Sequence, residues 1–117
     1  HITTFGGHPI NCAASLATLE HLLATDIMQE VNKKEQLFRE HLKHPKIKEI
    51  RGSGLMLAVE FNNEELTQRV VEESLEKGLI LFYFLFTKTA IRITPPLTIT
   101  KEEIIKGSNI IKEILEA

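Results

Sequence analysis

The chain has 117 residues, 43% of them hydrophobic and 26% charged, with a net charge of -2. This balance suits a globular domain with a single core. It leaves no concentration of lysine and arginine for a phosphate backbone, so no nucleic-acid partner is expected. One cysteine, Cys12, excludes an internal disulfide framework and fits a reducing, cytoplasmic compartment. Cys12 lies among alanines and reads as a small buried hydrophobe. No apolar run reaches the roughly 18 residues of a membrane span, so no membrane partner is expected.

Pro9 suits a helix N-terminus, where its missing N–H costs nothing. Cys12, Leu16, Leu19 and Leu23 then recur at helical spacing, predicting a helix from Pro9 to about Thr25. Its alanines and Ser15 are small on several faces, so the helix is expected to pack on more than one side. Asp26, with Gln29 at the capping-box position, predicts a second helix reaching about His44 and stopped by Pro45. Its buried stripe would be Ile27, Val31, Phe38 and Leu42, with Lys33, Lys34 and Glu35 in water. Leu55, Leu57, Val59 and Phe61 alternate with Met56, Ala58 and Glu60, a strand pattern, and Gly52 and Gly54 mark a bulge or tight turn that precedes or interrupts it.

Asn62 reads as the cap of a third helix with Glu65 at N3 and Gly78 just past its end, and Leu66, Val70 and Leu75 facing inward. The run LILFYFLF, Leu79 to Phe86, reads as a buried strand, and AIRIT as a shorter one ended by Pro95 and Pro96. Thr100 and Glu103 form a capping box for a last helix with Ile104, Ile111 and Leu115 inward. The predicted order is helix, helix, strand, helix, strand, strand, helix. That makes the part from 26 to 117 α/β or α+β, a small sheet with helices on one face.

His41 and His44 stand three apart on one helix, but nothing beside them completes the three or four ligands of a metal site. No metal is expected. His1, His8 and His21 form no catalytic order with a serine and an acid. The opening TTFGG, Thr3 to Gly7, places two hydroxyls and two glycines just before a helix N-terminus, a setting suited to a phosphate oxygen and equally to plain capping. Arg92, on the short strand before Pro95, could hold a carboxylate through two N–H groups or serve as a structural ion-pair partner.

Four motifs in order carry a resemblance over essentially the whole chain. HITTFGGHPINCAASLATLE resembles the H-x-T-T-F-G-G-N-P segment and following helix of class III pyridoxal-phosphate aminotransferases, the ornithine, acetylornithine and 4-aminobutyrate type. IRGSGLMLAVEF is similar to that family's V-R-G-x-G-L-M strand. EKGLI and IRITPPLTITKEEI resemble its E-K-G-L and R-x-x-P-P-L-x-I-T-x-E-E-I. The resemblance implies the C-terminal part of a fold type I enzyme. Residues 1–25 would end the large cofactor domain and supply a connecting helix, and residues 26–117 would be the small domain.

It also implies pyridoxal 5'-phosphate as cofactor, an amino-acid donor, a 2-oxo acid acceptor such as 2-oxoglutarate, and a homodimer. Thr4 matches the threonine that donates to the cofactor phosphate across the dimer interface, with Thr3, Gly6 and Gly7 shaping the loop. Arg92 matches the arginine that binds the acceptor's carboxylate and otherwise pairs with an acidic gate residue. Arg51, Gly52 and Gly54 match the strand motif in a structural role. The lysine that holds the cofactor, the aspartate under its pyridine nitrogen and the gate residue are implied to precede His1, so no catalytic residue is expected in this chain. His8 departs from the family's asparagine. The alternative reading is a free-standing amino-acid-binding or regulatory module that uses Arg92.

Overall fold

The computed structural model describes residues 3–117. His1 and Ile2, the start of the opening motif, fall outside them. The chain divides into two compact units, His1–Glu30 and Val31–Ala117.

The first unit is a turn followed by helix α1, Pro9–Ala24. The helix begins and ends where Pro9 and Thr25 place it, but none of its residues is buried within the unit. Cys12 is exposed rather than packed away, and Leu16, Leu19 and Leu23 are exposed too. The expected cap at Asp26 is a separate turn. Its backbone carbonyl accepts the N–H groups of Gln29 and Glu30 at 2.9 and 3.2 Å.

The second unit holds α2 (Val31–His41), β1 (Glu49–Ser53), β2 (Met56–Glu60), α3 (Glu64–Glu76), β3 (Phe82–Tyr83), β4 (Ala90–Ile93) and α4 (Lys101–Glu116). Helix α2 is shorter at both ends than the sequence suggests. It starts where Val31 can pack against the core, because docking more than local propensity stabilises a short helix. It ends before His44, since the residue preceding a proline is pushed out of helical geometry. Phe38 and Leu42 are buried as expected. Lys34 and Glu35 are half-buried rather than wet, and Lys34 Nζ donates to the carbonyl of Leu97 at 2.6 Å.

The sheet is antiparallel in the order β1-β2-β4-β3. Strand β1 is the element that pattern reading misses. It is a charged edge strand with only Ile50 partly covered. It pairs with β2 through a two-residue turn, Gly54-Leu55, because Ser53 faces Met56. Gly54 has φ +60° at the first turn position, where a twisted hairpin favours glycine. At Gly52, φ is +119° and a Cβ would collide with the backbone oxygen of Met56.

Asn63, not Asn62, caps α3 and accepts the N–H of Leu66 at 2.8 Å. At the other end Gly78 has φ +79°, and the N–H groups of Gly78 and Leu79 bond to Leu75 and Ser74 at 3.0 and 2.8 Å. These two bonds close the helix in a Schellman motif. Val70 is buried, but Leu75 is exposed at the solvent side of that last turn. The run from Leu79 to Phe86 yields only two paired residues, and Ile80, Leu85 and Phe86 are largely exposed. As an edge strand β3 is paired on one side only, so an apolar run there is not buried by the sheet itself. The capping box at Thr100 and Glu103 is complete, and Ile104, Ile111, Ile114 and Leu115 bury the inner stripe of α4. The core gathers these with Leu57, Val59, Ile91 and Ile93 from the two central strands. The result is a four-stranded antiparallel sheet with helices packed on it, the α+β form of the expected fold.

Candidate functional site

In the first unit, Thr3 and Thr4 open a turn that leads into α1. The N–H of Gly6 bonds to the carbonyl of Thr3, and that of His8 to Phe5, both at 3.3 Å. A Cβ on Gly6 would collide with Thr3 Oγ1, so the side chain of Thr3 lies directly over a glycine. Gly7 has φ +79°, which aims the chain into the helix. His8 is the N-cap: its Nδ1 accepts the N–H of Ile10 at 3.3 Å, the service an asparagine side chain would perform. Asn11 Nδ2 donates to the carbonyl of Phe5 at 3.2 Å and ties the turn to the first helical turn.

An open hollow is lined by Thr3, Thr4, Gly6, Gly7, Asn11 and Ser15. Thr3 and Thr4 are exposed, and the first turn of α1 has no acidic residue. Hydroxyl donors, the positive end of a helix and no opposing carboxylate suit a phosphate. The residues present therefore fit the phosphate end of pyridoxal phosphate.

In the second unit, the register puts Arg51, Ala58, Arg92 and Phe82 in one row across the four strands. Leu57, Val59, Ile91 and Ile93 point the other way, into the core. Arg92 thus stands on the open face of the sheet. It is exposed, and among the described residues it makes no ion pair. Among the described residues its partner is the ring of Phe82, whose centroid lies 5.4 Å from the guanidinium carbon. Thr94, Pro95 and Glu103 join Arg92 and Phe82 around a hollow of about 130 Å³.

The other arginine of the row is fully engaged. Arg51 meets Glu49 at 2.9 Å and Glu60 at 3.1 Å. Glu60 is only 6% exposed. Burial pushes its carboxyl up, yet the Thr89 hydroxyl, the Asn62 N–H and Arg51 outweigh that and hold it below the usual carboxylate range. A second network locks the RGSG turn. Glu35 accepts the N–H of Gly54, while Arg39 donates to Glu35 at 2.9 Å and to the carbonyl of Gly52 at 3.0 Å. The Gly54 N–H and then Arg39 hold the Glu35 carboxyl low. This clamp joins α2 to the hairpin. The i,i+4 spacing of Glu35 and Arg39 was its only sequence signal. His44 Nδ1 accepts the N–H of Lys46 at 3.1 Å and serves its turn.

Known proteins of one family resemble the chain over almost its whole length. The class-III aminotransferase family matches residues 1–115. The acetylornithine aminotransferase of Caldanaerobacter subterraneus subsp. tengcongensis is 38% identical over 98% of the chain, and the chain covers 30% of that protein. Ornithine aminotransferase 2 of Staphylococcus aureus is 42% identical over 89% of the chain, which covers 26% of it. The crystal structure of the ornithine aminotransferase from Toxoplasma gondii superposes with a TM-score of 0.81 at 34% identity, over 99% of this chain and 29% of that one. The chain thus spans under a third of the length of these relatives, which are pyridoxal-phosphate-dependent transferases. On the match along residues 1–115, the chain belongs to the class-III aminotransferase family.

Proposed function

We propose that this chain is the C-terminal portion of a pyridoxal-phosphate-dependent aminotransferase, a cytoplasmic homodimer that moves an amino group from an amino-acid donor to a 2-oxo acid such as 2-oxoglutarate. The observation that carries this reading is the family match along nearly the whole chain. Residues 1–25 end the cofactor domain and residues 26–117 form the small domain. Thr4, assisted by Thr3, donates its hydroxyl to the cofactor phosphate of the partner subunit's site. The exposed hydroxyls beside a helix N-terminus free of acid support that role. Arg92 binds the acceptor's carboxylate. Its exposed guanidinium, with no carboxylate partner among the described residues, supports this. A guanidinium presents parallel N–H groups that match both oxygens of a carboxylate. The cofactor, when bound, supplies the electron sink for the transfer. This chain binds and orients, and the lysine that moves protons precedes His1.

The test uses the full-length protein. Borohydride reduction followed by peptide mapping is expected to label a lysine that precedes His1. Thr4→Val is expected to loosen cofactor retention by about tenfold, the scale of one hydrogen bond to a charged group. If no lysine is labelled and no cofactor absorbance appears, the reading fails.

A further inference from the structure

We infer that Phe82 is a positioning residue for carboxylate recognition: its ring holds the Arg92 guanidinium in the place where it meets the substrate. The inference rests on the carboxylate role proposed for Arg92.

The argument begins with the register. Arg92 has two cross-strand neighbours, Ala58 on β2 and Phe82 on β3. Directly opposed residues bring their Cβ atoms within about 4.5–5.5 Å, close enough to govern each other's rotamers. Ala58 has no side chain beyond Cβ and gives Arg92 no lateral support. Phe82 does, with its ring centroid 5.4 Å from the guanidinium carbon, inside cation–π range.

An exposed arginine is otherwise a poor receptor. Its long side chain samples many rotamers, and each must be given up on binding. A salt bridge would hold it but would also occupy the N–H groups the ligand needs. Arg51, in the same row, is held in that way by Glu49 and Glu60. An aromatic ring is different. It attracts the cation without accepting its N–H groups in the way a carboxylate does, so the donors stay available for both oxygens of an incoming carboxylate. Phe82 is itself fixed by pairing, as one of the two residues of β3. The residue stays 53% exposed, so a ligand can reach the pair. The recognised group is an anionic carboxylate held at the guanidinium; the adjoining hollow is lined by Leu81, Phe82 and Pro95, with Glu103 as its one acid.

The experiment uses the full-length enzyme with Phe82→Leu, Phe82→Met, Phe82→Tyr and Arg92→Lys. The readout is KM and kcat for the 2-oxo acid, with glutarate as an unreactive inhibitor. Phe82→Leu and Phe82→Met are expected to raise the acceptor KM and the glutarate inhibition constant about three- to tenfold, the range of a cation–π contact, with kcat held. Phe82→Tyr keeps the ring and is expected to restore both. Met is unbranched and keeps the measurement open should Leu disturb the strand. Unchanged constants in both ring-deleted variants, or equal damage from Tyr, overturn the role of Phe82. Should Arg92→Lys also leave both constants unchanged, the carboxylate reading of Arg92 fails as well. If only Arg92→Lys raises them, that reading stands and the inference alone falls.

Discussion

Helices α1 and α4 are each 16 residues long and have opposite characters. α4 alternates a charged face with a stripe of Ile104, Ile111, Ile114 and Leu115, and the stripe is buried. α1 carries Glu20 as its only acid and no lysine or arginine, yet nothing in it is buried. A helix that is apolar on most sides is composed for burial on most sides. The sequence of α4 names one partner surface and finds it within the unit. That of α1 asks for more apolar surface than its own unit supplies. The difference separates a helix that completes the core of its unit from one whose apolar residues stay exposed.

Hollowing out both helices tests the contrast most strongly. Ile111→Ala is expected to cost about 2–5 kcal/mol in urea unfolding of the chain, as for other buried isoleucines. Leu19→Ala, at a residue that is 53% exposed, is expected to stay within about 0.5 kcal/mol. Equal losses would mean that α1 is packed in solution, and the contrast would disappear.

The cap of α4 carries a smaller share of the stability. Thr100→Ala removes the acceptor of the Glu103 N–H and is expected to cost about 0.5–2 kcal/mol. Acid probes the same feature. Glu103 is held low by the Thr100 N–H, Glu35 by the Gly54 N–H and Arg39, and Glu60 is net lowered against its burial. All three are depressed in the folded chain. Their stabilisation is therefore present above the ordinary carboxylate range and is lost as pH falls through their folded values. The urea midpoint of the second unit is expected to drop between about pH 6 and about pH 3, and less so in Glu35→Gln. A midpoint that rises on acidification would contradict these networks.

The smallest effect comes from Gly107, inside α4. A Cβ there would lie 3.5 Å from Leu79 Cδ1, an ordinary contact. Gly107→Ala is expected to stabilise by up to about 1 kcal/mol, since alanine is the better helix former. A loss in thermal melting would show that the contact with Leu79 is tighter than it looks.

Helix positions were legible wherever the local chemistry was self-sufficient. Pro9, the Thr100–Glu103 box and Gly78 each act within a few residues, and each element ends where they place it. Tertiary docking decided the rest. The start of α2 depends on where Val31 meets the core, and β1 exists because a two-residue turn folds it onto β2. A charged edge strand carries almost no hydrophobic signal. The apolar run from Leu79 to Phe86 misled in the opposite sense, because hydrophobicity marks the wish for burial, not its fulfilment. Arg92 and the threonines, the residues proposed for the site, stand in motifs that the sequence displays. Phe82 was not, because its role depends on register, which periodicity alone cannot supply.

The edge position of β3 has a consequence for the chain before it is folded. Residues 79–86 contain no charge, and a stretch of that kind can template intermolecular β-sheet. Lys77 and Lys88 bracket it. In the native fold they are engaged, Lys77 with Glu113 at 3.3 Å and Lys88 with Glu64 at 3.0 Å. On the nascent chain those ion pairs do not yet exist. The two ammonium groups then flank the stretch as bare like charges, which repel a second copy stacking in register. Once folded, the same lysines tie the ends of α3 to α4 and to the loop before β4.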